Sequence, residues 1–178
     1  MITKKSRDEI KRMRHAGHIV ALVHQKMKEV VQPGISTKEL DDIAMHIIKE
    51  NRAIPTFLGY CGFPACICTS VNEQVVHGIP SKDVILKEGD IIAIDVGATY
   101  GGMVGDSAWS YRVGKVSPEV DELMKVTEES LYAGVEQMRP GNVLDDISKA
   151  VEAVANRGGY GIVSQYGGQG DGEEKQEV

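Results

Sequence analysis

Residues 93–111 read AIDVGATYGGMVGDSAWSY, and they place two carboxylates, Asp95 and Asp106, on what reads as the two strands of one hairpin. A turn centred between Tyr100 and Gly101 makes Asp95 and Asp106 direct cross-strand partners, and a single bulge makes them diagonal instead. Directly opposed Cβ atoms lie about 5 Å apart. Two unit charges about 4 Å apart near a protein surface repel by roughly 4 kcal/mol. A shared proton or a cation must offset that cost, unless the hairpin simply faces solvent. Strand alternation puts Ala93, Gly97, Val104, Ala108 and Ser110 on the carboxylate face, with Ile92, Ile94, Val96, Trp109 and Tyr111 on the other. One face packs, and the other leaves room. Carboxylate oxygens suit Mn, Fe, Co, Ni or Zn as well as Mg, so the ion's identity stays open.

Working outward, residues 6–31 form a first helix, with Ile10, Met13, Gly17, Val20, Val23, Met27 and Val30 recurring every three or four positions. The motif STKE, Ser36 to Glu39, is a capping box that opens a second helix reaching about Asn51. Past Pro55 the texture becomes strand-like and punctuated by glycine, in ACICTSVN, VVHGI, DIIAIDVGA and MVGDSAWSYRVG. Ser117 and Pro118 then cap a third helix to about Met138, and a fourth covers Val143 to Asn156. This mixture is an α/β (α+β) chain.

The two halves match in letters as well as pattern. PGISTKELDDIAMHIIKENR and PGNVLDDISKAVEAVANR share PG, LDDI, an apolar stripe and NR in the same order. One unit of helix, PG turn, helix and sheet therefore occurs twice, the first copy over about 6–116 and the second from about 117. After Arg157 only 21 residues follow, about forty fewer than the first copy gives its strands. The expected domain is 1–165, with 166–178 a Gly-rich acidic tail expected to be disordered. A sheet short of its second half has an open edge, which invites self-association or another chain.

Of the 178 residues, 20 are Lys or Arg and 26 Asp or Glu, for a net charge of -6, which argues against broad binding to nucleic acid. The basic run KKSRDEIKRMR reads as a solvated helix face. No apolar run approaches the roughly 18 residues that span a bilayer, and the N-terminus lacks a signal-peptide pattern, so a cytoplasmic protein without membrane contact is expected. Three cysteines, Cys61, Cys66 and Cys68, cannot all pair. Cys66 and Cys68 share one strand face in this reading, but no fourth ligand for a zinc site accompanies them. His77, in VNEQVVHGIP, stands at a strand end or loop, either as a structural histidine or as a donor to a substrate group. His15, His18, His24 and His46 fall on the first two helices and carry no assigned role.

SVNEQVVHGIP, GDIIAIDVGATYGGMVGDSAWSY and the helix pair with its PG turn together closely resemble the type I methionine aminopeptidases, from the first residue to about Gly168. The resemblance implies the pita-bread fold, two pseudo-symmetric α/β halves around a dinuclear metal centre, here with the first half complete and the second lacking most of its sheet. It implies removal of the initiator methionine from nascent polypeptides, near the ribosome, when the next residue is small. Asp95 would chelate one of two divalent ions and Asp106 would bridge both, lowering the pKa of the attacking water. His77 would hydrogen-bond the substrate near the cleaved amide, and Tyr60, Phe63 and Cys68 would line the methionine pocket. The sequence departs from that pattern at GGQGDG, where Gln169 takes the place of the histidine of a GGHGIG-type motif, and two later glutamates have no counterpart. The chain therefore reads as a truncated or C-terminally altered member, weakly active or inactive. The alternative is a non-catalytic pita-bread relative that binds a partner through its open sheet edge.

Overall fold

A computed structural model describes residues 4–163, 169–170 and 176–177 of the chain. Helix α1 spans Arg7–Val30 and helix α2 Thr37–Glu50. Both begin with the same reciprocal device. The Ser6 hydroxyl accepts the Glu9 N–H while the Glu9 carboxylate accepts the Ser6 N–H, and Ser36 and Glu39 repeat the exchange. Each pairing satisfies amides that a helix start leaves without partners. Helix α1 buries Ala16, Ile19, Val20, Val23 and Met27, and α2 buries Leu40, Ala44 and Ile48. Ile10, expected on the buried stripe, is exposed.

These stripes join Ile92, Ile94, Val96 and Ala98 in one core. The four belong to β3 (Ile91–Tyr100), the central strand of an antiparallel sheet. On one side β3 pairs with β2 (Ile67–Val71) and, at its far end, with β1 (Ile54–Pro55). On the other side it pairs with β4 (Met103–Arg112). Among the described residues β4 has no other strand partner. Helices cover one face of the sheet, and the other face carries the carboxylates.

The hairpin register corrects the sequence reading. Tyr100 pairs with Met103, so the two-residue loop is Gly101–Gly102 and not Tyr100–Gly101. Its φ values are 56° and 78°. A tight hairpin turn of this kind demands positive φ at both central residues, which two glycines meet and a tyrosine resists. The slide preserves which residues share a face but moves Asp106 opposite Gly97 and Asp95 opposite Ala108.

The expected strand VVHGI is a loop. His77 takes a left-handed φ of 59°, which breaks an extended run. Next to it the Gly78 carbonyl accepts the Thr69 N–H at 2.8 Å, and the Gly78 N–H donates to Ser70 Oγ at 3.1 Å. Gly78 thus ties the loop to β2. A Cβ on Gly78 would lie 2.1 Å from the Thr69 carbonyl oxygen, so only glycine fits.

The LDDI of the first copy contains the buried carboxylate that joins helix to sheet. Asp41, 2% exposed, accepts the N–H groups of Cys66 and Ile67 at 2.8 and 3.2 Å, and Lys38 Nζ at 2.7 Å. Burial alone would raise its pKa. The hydrogen bonds from Cys66 and the Lys38 ammonium outweigh burial and hold it below the ordinary carboxylate range.

The chain divides into two compact units, the second spanning Val116–Gly167 and the first comprising the residues on either side of it. The second contains α3 (Pro118–Glu136), capped by Ser117 Oγ accepting the Val120 N–H, and α4 (Leu144–Arg157). Its described residues include no strand. The second LDDI opens α4 and does different work: Asp145 pairs with Lys149 in solvent, and Asp146 accepts the Val143 N–H at 2.8 Å. In the tail, the backbone of β5 (Gln169–Gly170) pairs with that of β6 (Gln176–Glu177). The expected disorder of 166–178 otherwise concerns residues outside the described ones.

Two predictions follow from the packing of α1 and α2. Asp41→Ala leaves two buried amides without an acceptor and lowers unfolding free energy by about 3 kcal/mol in urea titrations. Because the native pKa of Asp41 lies below its unfolded value of about 3.9, its contribution is complete above that pH and fades as pH falls through the native value. Asp41→Asn removes that part of the acid-side slope. Gly105 and Gly17 give a matched contrast. A Cβ at Gly105 would lie 2.5 Å from the Gly17 nitrogen, whereas one at Gly17 meets nothing within 4 Å. Gly105→Ala therefore lowers the urea midpoint, and Gly17→Ala raises stability by up to about 1 kcal/mol through helix propensity.

Candidate active site

The carboxylate face presents Ala93, Asp95, Gly97 and Thr99 from β3 against Ser110, Ala108, Asp106 and Val104 from β4. Asp95 and Asp106 are diagonal neighbours on this face, about 7–8 Å apart by the geometry of such pairs. Their repulsion drops to roughly 2 kcal/mol at that separation. Ala108 and Gly97 stand directly opposite them. On the other flank, Cys68 of β2 is the register partner of Asp95.

Above this face opens a cavity of about 410 Å³, lined by Phe57, Tyr60, Phe63, Cys68, His77 and Asp95 among others. All of the sequence-predicted substrate-binding residues, Tyr60, Phe63, Cys68 and His77, thus line one cavity together with Asp95, and Asp106 lies on the same sheet face but not in its lining. Two features of local backbone aim these groups. The segment after β1 turns sharply, with the Gly59 N–H donating to the Phe63 carbonyl at 2.8 Å and the Phe63 N–H to that of Tyr60 at 2.9 Å. The left-handed His77 is held beside β2 by its neighbour Gly78, whose carbonyl accepts the Thr69 N–H.

The three cysteines do not converge. Cys66 precedes β2 and is not on it; its thiol donates to the Asp41 carbonyl at 3.2 Å, on the helix side. Burial, together with the Asp41 carboxylate, pushes the Cys66 thiol pKa upward and keeps it protonated. Cys68 lines the cavity, and Cys61 is exposed.

Sequence reasoning passed over His24 and Phe57. His24 Nε2 lies 2.9 Å from the Ser107 carbonyl, to which it donates, and Nδ1 lies 2.7 Å from Tyr111 Oη. The imidazole thereby grips β4 beside Asp106. Burial lowers its pKa against the opposing pull of the Ser107 carbonyl and the Asp106 charge. No local signal separates His24 from the other helical histidines, because the contact joins residues 83 positions apart.

Asp95 and Asp106 offer two hard oxygen donors of the type a divalent ion takes. Among the described residues no group of three His, Cys, Asp or Glu side chains is placed to hold a metal ion. The side chains of Gln169, Glu173, Glu174 and Glu177 lie outside the described residues. Among the described residues this face therefore supplies two carboxylate donors, Asp95 and Asp106. Also among the described residues, no helix is long and apolar enough to cross a membrane.

The sequence profile of metallopeptidase family M24 matches residues 11–177. Methionine aminopeptidase 1 of Bacillus subtilis strain 168 is 50% identical over 177 residues, covering 99% of this chain and 71% of that protein. Among solved structures, the methionine aminopeptidase of Rickettsia prowazekii superposes with a TM-score of 0.96 at 37% identity, covering 100% of this chain and 71% of that one. The Thermotoga maritima enzyme gives 0.96 at 38% identity, covering 98% and 70%. A carboxylate-bearing antiparallel hairpin beside an aromatic cavity, in an α/β chain that superposes on pita-bread enzymes over nearly all its length, leaves one assignment: the chain belongs to metallopeptidase family M24, among the methionine aminopeptidases.

Proposed function

We propose that the chain carries the substrate-recognition half of a methionine aminopeptidase site, acting in the cytoplasm on the N-terminal methionine of nascent polypeptides when the next residue is small. The observation that carries this reading is the shared cavity of Tyr60, Phe63, Cys68, His77 and Asp95. Its aromatic and thiol lining suits an unbranched, polarizable thioether side chain. With that side chain seated, His77 of the same cavity would hydrogen-bond the substrate near the scissile amide. Asp95 and Asp106 would hold the divalent ions on which the family depends, and such ions supply an acidified water for hydrolysis. Two carboxylates, with no third convergent ligand among the described residues, bind an ion weakly. Gln169 reinforces that reading, since a neutral amide oxygen replaces the imidazole of the resembled motif.

Hydrolysis of a Met-Ala-Ser peptide with added Mn(II) or Co(II) tests the proposal, run beside the Bacillus subtilis relative. The expected kcat/KM of these 178 residues is at least about 100-fold below the relative's, the scale of loss that follows an impaired ligand shell. Calorimetric titration with Mn(II) is expected to show a Kd near the millimolar range, as for sites with few charged ligands, and none in the Asp95→Asn, Asp106→Asn double variant. Turnover equal to the relative's, or metal binding unchanged in the double variant, overturns it.

One observation favours a second reading, a partner-binding relative. Strand β4 pairs only with β3 among the described residues, and Ser107 to Ser110 are exposed along it. Sedimentation analysis separates the readings: concentration-dependent association together with absent metal binding supports the second.

A further inference from the structure

The inner wall of the cavity holds a match of sizes between two residues that the sequence did not single out as a pair. Phe57 is 6% exposed and lines the cavity. The backbone just before it is tied to β3, because the Thr56 N–H donates to the Gly97 carbonyl at 3.0 Å and the hydroxyls of Thr56 and Thr99 lie 2.9 Å apart. Held this way, the ring occupies the space a side chain at Gly97 would take. A Cβ built on Gly97 falls 2.6 Å from Phe57 Cε1 and 3.0 Å from Cζ, well inside the roughly 3.5–4 Å of an ordinary carbon contact. Gly97 is also the register partner of Asp106 and stands two positions from Asp95. The ring therefore rests over the glycine of the carboxylate face, the register partner of Asp106.

We propose that Gly97 and Phe57 form one specificity-determining element: the absent side chain at Gly97 lets the Phe57 ring lie back on the sheet, and the ring's position sets the cavity's width for an unbranched apolar side chain over an aromatic one. The inference rests on the reading of this cavity as the methionine pocket. Any side chain at Gly97 drives the ring forward into the cavity. Truncating the ring opens the wall to bulkier residues.

Methioninamide and phenylalaninamide are the probes, titrated into the full chain with binding followed by NMR shift changes and folding checked by the thermal transition. The unaltered chain is expected to bind methioninamide at least about tenfold more tightly than phenylalaninamide, the discrimination a pocket wall of this kind supplies. Gly97→Ala is expected to weaken methioninamide at least about fivefold, and adding Phe57→Leu to restore it to within about twofold, since the smaller side chain yields the space. Phe57→Ala is expected to improve phenylalaninamide binding about tenfold. Methioninamide binding unchanged in Gly97→Ala, or an unchanged preference in Phe57→Ala, overturns the proposal while leaving the pocket assignment intact. If Gly97→Ala does not fold, Phe57→Ala alone decides. An unaltered chain that binds neither amide overturns the pocket assignment and this inference with it.

Discussion

The register of β3 against β4 is the constraint on which the remaining geometry rests, and a two-glycine turn sets it. Both central residues of that turn need positive φ, and Gly101 and Gly102 are the adjacent pair that supply it. Strand alternation then has no freedom: Ile92, Ile94, Val96 and Ala98 must face the helices, and Asp95 and Asp106 must face away. A slip by one residue in β3 would bury a carboxylate against Ile19 and Leu40 and expose four apolar side chains. The hydrophobic core thus enforces the placement of the charged pair without any contact to it.

The turn also sets the distance between the charges. In the observed register each aspartate faces a residue without a bulky side chain, Gly97 or Ala108. The charges are offset along the sheet, which lowers their mutual repulsion. The Phe57 ring packs against Gly97 on the same face. On the far side His24 holds the β4 backbone at Ser107. The carboxylates are therefore positioned by three elements distant in sequence: a turn, a helix and the segment after β1.

What the sequence made legible follows its local physics. Capping boxes, Pro at a helix start and apolar spacing located all four helices to within a residue or two, since each signal lies within a few positions of the feature it specifies. The faces of the hairpin were legible because alternation survives the slide in register. The register itself was not, because TYGG offers two candidate turns and only the φ requirement separates them. VVHGI has strand composition, yet its conformation is decided by Gly78 meeting Thr69, a contact no periodicity records. The repeated LDDI shows the same limit. Helix α2 begins three residues before its leucine and α4 begins on it, so Asp41 is buried as an anchor for β2 while Asp145 stays in solvent. Recognition of the cavity residues came through the family's motif, and the cavity itself appears only when β2, the turn at Tyr60 and the His77 loop are brought together.

The tip of the hairpin has one further property. The Arg12 guanidinium donates to the Gly101 carbonyl, and its aliphatic stem lies where a Cβ of Gly101 would stand, 2.8 Å from Cδ. A hairpin end is ordinarily its most mobile part. Here it is moored to the first turns of α1, so amide protection along β3 and β4 is set at both ends instead of decaying toward the turn. The carboxylates lie between two fixed points, as on a beam supported at each end, and bending of the hairpin that would change their separation must first detach Arg12.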